Sequence, residues 1–190
     1  MRTILFVGHR PDADQRPVSR FPEALDRRAF ATIRDAVARI ARTHGAIRGI
    51  AGGASGGDII FHEVCLSLGV PSTLYLALPE PAFIAASVAP SGDEWVRRFR
   101  RLTAMLPPAE QLHASPPRAA SDPALWEQNN AWLLRTGLAE GPNHLTLLAL
   151  WDGETGDGPG GTHALVAMAR ARGVDVEIID PRRLDIETTP

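Results

Sequence analysis

Apolar residues follow two different periods along this chain. Short apolar runs at Thr3 to Val7, Ile47 to Ala51, Thr73 to Leu78, Leu145 to Trp151 and Val174 to Ile179 are too brief for helices and rich in branched residues, so they predict five strands. Between them the spacing lengthens. From Glu23 to His44, Leu25, Ala29, Ile33, Val37 and Ile40 recur at helical intervals, and Gly45 supplies a stop. Further helices are predicted from Asp58 to about Leu68, Glu94 to Met105, Pro123 to Leu138 and Thr162 to Arg172. Strands joined through helices cross over and pair in parallel. The expected fold is therefore α/β, a Rossmann-like, open, mostly parallel, doubly wound sheet with helices on both faces. Its ligands are expected at the carboxyl ends of the strands.

The 190 residues, 44% of them hydrophobic, suit one domain over 1–183. Eight prolines between Pro79 and Pro123 interrupt the pattern and predict an irregular insertion there, with a long loop from Pro107 to Ser121. The tail 184–190 is expected to fray. A formal net charge of -2 disfavours a general nucleic-acid or membrane-surface binder. All 20 basic residues are arginine, which excludes a lysine Schiff base and a lysine-dependent P-loop. Cys65 is the only cysteine, and no apolar run is long enough to cross a membrane or serve as a signal peptide, so a cytoplasmic location is expected.

The chemistry gathers in loops that follow strands. Gly8, His9 and Arg10 follow the first, where Arg10 is suited to fork onto a phosphate or to pair with Asp12 or Asp14, and His9 to stack on a base or donate to a phosphate. Gly52, Gly53, Ala54, Ser55, Gly56, Gly57 and Asp58 follow the second. This is a turn whose amides, with the Ser55 hydroxyl, suit phosphate, while Asp58 suits either a helix cap or a ribose hydroxyl. Asp152 follows the Leu145 to Trp151 run as the best-placed carboxylate for ribose, ahead of a second glycine turn, Gly158, Pro159, Gly160, Gly161 and Thr162. Asn129 and Asn130 lie in a helix with Trp126 and Trp132, where they either reach a ligand or face solvent. His62 and Glu63 lack the second histidine of a zinc protease, since Leu66 stands there, and no metal site is expected. Cys65 reads as a buried, inert thiol.

Taken in order, Gly8-His9-Arg10, the turn from Gly52 to Asp58, Asn129-Asn130 and Pro159-Gly160-Gly161-Thr162 resemble the SLOG superfamily. This Rossmann-like group holds the Lonely Guy phosphoribohydrolases, the DNA-processing DprA proteins and the YspA-like proteins, and the chain looks closest to the last. The resemblance implies a nucleotide or nucleotide-derived ligand held between the glycine turns, with no cofactor, and a second copy or an effector as partner. It also exposes a departure. Lonely Guy enzymes carry a glutamate three residues after the threonine of the second turn, and here that position is Leu165. A leucine can neither handle a proton nor stabilise a cationic sugar. The expectation is therefore a sensor for a mononucleotide, cyclic nucleotide or ADP-ribose-like signal. The alternatives are a nucleoside 5′-monophosphate glycosidase, using Arg10 with Glu63 or Asp152 (or Glu154 in the same role), and a DprA-like single-stranded DNA binder.

Overall fold

In a computed structural model, residues 1–12, 19–106, 119–155 and 160–184 are described. Five parallel strands, β1 (Arg2–Gly8), β2 (Ile47–Ala51), β3 (Ser72–Leu74), β4 (Leu145–Leu150) and β5 (Asp175–Ile179), form one sheet in the order β3-β2-β1-β4-β5. The chain winds outward from β1 to β3, then returns to the other side of β1 as β4. β1 and β4 therefore flank the point where the winding reverses, and the loops leaving them diverge to open a crevice there. Their register pairs Leu5 with Leu147 and Gly8 with Leu150.

Both faces of the sheet are covered, which is why the central strands read as unbroken apolar runs. Ile4, Phe6, Leu148 and Leu150 point to one face and pack with α1 (Asp26–His44) and α2 (Gly57–Leu68). Leu5, Leu147 and Ala149 point to the other and pack with α5 (Pro123–Gly137) and α6 (Thr162–Arg170). α1 ends at Gly45, whose φ of 73° few other residues tolerate.

Two expectations change. The third strand is Ser72–Leu74 rather than Thr73 to Leu78, because it is an edge strand whose continuation turns into α3 (Glu80–Phe83). The stretch after Pro79 is also more ordered than an irregular insertion: α3 runs into a wide helical turn at Ile84–Val88 and then into α4 (Asp93–Met105). Phe83, Val88, Trp95, Phe99 and Leu102 from this stretch are buried in the α1/α2 core, so most of it belongs to the domain's own packing. Residues 107–118 of the expected loop, and 185–190 of the expected tail, lie outside the described residues. No helix among the described residues is long and apolar enough to cross a membrane.

Candidate functional site: a cavity at the reversal of the sheet

A cavity of about 540 Å³ lies at the carboxyl end of the sheet, within the roughly 300–1,000 Å³ range of small-molecule sites. Phe6, Phe83, Trp126 and Leu133 give it apolar walls. Gly8, His9, Arg10, Arg20, Gly52, Asp58, Asn129, Asn130, Gly160, Gly161 and Thr162 supply its polar lining. The three loops and the asparagine pair that stood out in the sequence therefore converge.

The first glycine turn is built for close packing. A Cβ on Gly57 would meet the Gly8 Cα at 2.8 Å, and one on Gly56, whose φ is 88°, would meet the His9 carbonyl oxygen at 2.5 Å. Glycine at these positions lets the start of α2 touch the end of β1 backbone to backbone. Three of the turn's amides are bonded within the protein. Gly57 N–H donates to the His9 carbonyl at 3.0 Å, Ser55 N–H to the Ser87 carbonyl at 3.0 Å, and Ala54 N–H to Asp58 Oδ2 at 3.3 Å. The Ser55 side chain is buried and bonded to the Ser87 carbonyl and Ser91 Oγ. Gly53 packs among Phe99, Leu74 and Leu76. The Ala54, Ser55 and Gly57 amides expected to hold phosphate are thus taken by the protein's own acceptors, and Gly53, Ser55, Gly56 and Gly57 are not among the residues lining the cavity.

What this turn presents to the cavity is a carboxylate. Asp58 does not cap α2, whose N-cap is Gly56; it turns back over Gly52, where a Cβ would sit 2.6 Å from Oδ2. The side chain is only 9% exposed, and Oδ1 has no hydrogen-bond partner. Burial pushes its pKa up to about 7, against the opposing pull of the Ala54 and Gly8 amides and the Arg10 charge. Asn129 on α5 repeats the pattern. It is 8% exposed and lines the same cavity with an unpartnered Oδ1.

The second glycine turn is organised differently. Gly160 has a φ of 85°, and a Cβ there would strike Trp126 Cβ at 2.4 Å, so glycine lets the turn seat on α5. Asn130 Nδ2 fixes the join by donating to the Gly160 carbonyl at 2.8 Å. α6 begins at once, and Thr162, its first residue, is buried against the cavity. The positive end of this helix therefore opens on the site, on the wall opposite in character to the carboxylate. Gly158 and Pro159 lie outside the described residues.

Asp152 has a structural partner that the sequence reading missed. Arg20 Nε donates to Oδ2 at 2.6 Å and an Arg20 terminal nitrogen donates to Oδ1 at 2.8 Å, while His9 Nε2 lies 3.0 Å from Oδ1. The Asp152 amide also approaches His9 Nε2, at 3.2 Å. One ring nitrogen serves one of these at a time, and a proton on Nε2 gives the stronger, charge-assisted bond to the carboxylate. Burial alone would raise the Asp152 pKa, but the Arg20 guanidinium, the Glu154 amide and His9 outweigh it and hold the carboxyl well below its ordinary range. Asp152 is therefore a buried anchor between β1 and β4, and His9 is oriented by it. Neither arrangement matches the expected ribose contact or base stack. Arg20, remote in sequence, lines the cavity beside them.

The remaining candidates fall elsewhere. Glu63 pairs with Arg98 at 2.5 and 2.9 Å, and Arg98 also reaches Asp26 and stacks over Trp95 at 4.1 Å, in a separate surface cleft. Glu154 is exposed beside Arg182. Leu165 is fully buried in the α5/α6 core. Among the described residues, Asp58 is the only acidic side chain lining the cavity. His62 is fully buried beneath it, its ring between Ser72 Oγ and the Gly52 carbonyl, each at 3.0 Å, and burial lowers its pKa to about 4. Burial pushes the Cys65 thiol up to about 12, in keeping with an inert role. No group of potential metal ligands occurs among the described residues. No family model matches the chain, and no curated protein matches it in sequence.

Proposed function

We propose that the cavity binds a nucleotide or nucleotide-derived signal, and that the domain works as a sensor rather than a hydrolase. The observation that carries this reading is the cavity's polarity. The N-terminus of α6 at Gly161 and Thr162 opens on the cavity and suits an anion, and Arg10, beside Gly56 and Asp58, adds a cation to the lining. Asp58 and Asn129 add polar side chains to the same lining. Phe6, Phe83 and Trp126 add apolar and aromatic surface. A nucleotide carries groups to match: phosphate, sugar hydroxyls and a flat base. The SLOG resemblance points to the same ligand class from the order of the motifs.

The sensor reading follows from the carboxylates. Leu165 is core, Glu63 faces another cleft, and Asp152 is held by Arg20 and His9. A hydrolase would have to run on Asp58 alone, and its raised pKa is the single feature that favours such proton handling. A thermal-shift screen against mononucleotides, cyclic di- and trinucleotides, NAD and ADP-ribose separates the readings when each hit is followed by product analysis. Saturation at 100 times Kd should stabilise the domain by about 2.7 kcal/mol, with the ligand recovered intact. Release of free base from AMP would establish the glycosidase, and salt-dependent affinity for oligonucleotides alone would favour the DNA-binding alternative.

A further inference from the structure

Phe6, Phe83 and Trp126 all line the cavity, but they differ in the surface they leave to a ligand. Phe6 is 1% exposed and stacks on Phe61, with ring centroids 4.8 Å apart and planes 10° from parallel. Phe83 is 2% exposed and stacks on Phe99 at 5.9 Å and 25°. Both rings are thus committed to the core. Trp126 alone of the three is only partly buried, and its ring neighbour Phe83 meets it tilted at 58°, with centroids 6.4 Å apart, and not stacked.

The indole is held where it stands. Its Nε1 donates to the Ala120 carbonyl at 2.9 Å, and Ala120 lines the same cavity. That bond takes the one polar group of the ring, so what remains for a ligand is flat apolar surface. At the root of the side chain the second glycine turn rests against it, since a Cβ on Gly160 would lie 2.4 Å from Trp126 Cβ. Gly161 and Thr162 follow directly as the start of α6. Aromatic surface and helix N-terminus therefore adjoin across a single turn, and a ligand that carries a flat ring and an anion on one small frame can use both. A bare sugar phosphate can use only the second.

We propose that Trp126 is the residue that reads the base, stacking on the ligand's flat ring while the phosphate sits at Gly161 and Thr162. Preference for a base-bearing ligand over the sugar phosphate alone then rests on this side chain. The proposal depends on the nucleotide reading and adds to it the residue that sets specificity. Because the indole is already fixed by Ala120 and Gly160, little freedom is lost when the base arrives.

Calorimetric and fluorescence titrations of the full chain with AMP, ADP-ribose, cyclic di-AMP and ribose 5-phosphate test it. Whichever adenine compound binds should do so on the order of 10- to 100-fold more tightly than ribose 5-phosphate, the range expected for one base stacked on one aromatic ring. It should also quench tryptophan fluorescence. Trp126→Ala, checked for folding by its thermal transition, should remove most of that preference by weakening the adenine compound. Trp126→Phe should keep much of the affinity and lose the quench, whereas Trp132→Phe, on the same helix but outside the cavity lining, should keep both. Equal affinity of wild type for the adenine compound and ribose 5-phosphate overturns the proposal, as does an undiminished quench in Trp126→Phe. Either result leaves a nucleotide in the cavity, whereas failure of all three adenine compounds to bind overturns the nucleotide reading together with this proposal.

Discussion

Asp58→Asn should stabilise the unliganded protein at pH 8 while weakening its hold on a ligand in the cavity that Asp58 lines. Below about pH 3.8 the carboxyl is protonated in both folded and unfolded chains and contributes no pH dependence. Between there and about 7 the unfolded chain ionises while the folded one keeps its proton, so stability falls as pH rises. The accumulated loss at pH 8 is on the order of 4 kcal/mol, and an amide of the same shape avoids much of it. His62 acts in the opposite sense. Its folded pKa of about 4 lies below the ordinary 6.5, so its contribution is present above 6.5 and is lost as pH falls toward 4. In wild type the two oppose each other between pH 4 and 6.5. In Asp58→Asn only the His62 dependence remains of this pair, and the variant should lose stability on acidification more steeply than wild type. Denaturant midpoints at pH 4.5, 6 and 8 check both signs. A variant less stable than wild type at pH 8 would mean that Asp58 serves the fold and not the ligand. A residue whose replacement gains stability and loses binding is one retained for function.

Arg20→Ala should be the most damaging single change near the site. It removes both guanidinium bonds to Asp152 and leaves a carboxylate only 5% exposed with His9 as its remaining side-chain partner among the bonds described above. Breaking a buried pair from one side costs about 3–5 kcal/mol. The loss should be larger at pH 7 than at pH 4, because the abandoned carboxyl can take up a proton as the solution becomes acidic. Arg20→Met combined with Asp152→Leu should recover much of the stability, since no charge is then left buried. Thermal transitions at the two pH values measure this. An Arg20→Ala protein as stable as wild type would show that the β1 and β4 loops are held together by other contacts.

The strands and their parallel order were legible because every central position is covered on both faces, so Leu145 to Leu150 reads as one apolar run. The glycine turns were legible as turns, yet their purpose was only half readable. Glycine is required whenever backbone approaches backbone, and the sequence cannot say whether the approaching atoms belong to a phosphate or to Gly8. Asp58 and Glu63 show the same limit on one helix. Five residues place them about 140° apart around its axis, which sends one to the cavity and the other to Arg98. Arg20 carried no local signal at all, because its partner lies 132 residues away and the pairing exists only once β4 returns beside β1. Asn129 and Asn130, adjacent and chemically alike, both line the cavity but differ in a way only the fold decides: Asn130 holds the second turn, and Asn129 Oδ1 is buried without a partner.

A crystal structure of the protein with its tightest nucleotide hit measures the polarity of the site directly. The predicted complex has the phosphate on the Gly161 and Thr162 amides at the start of α6, the rest of the nucleotide inside the cavity, and an intact glycosidic bond. A phosphate seated on the first glycine turn, or a ligand bound outside the cavity, would contradict it.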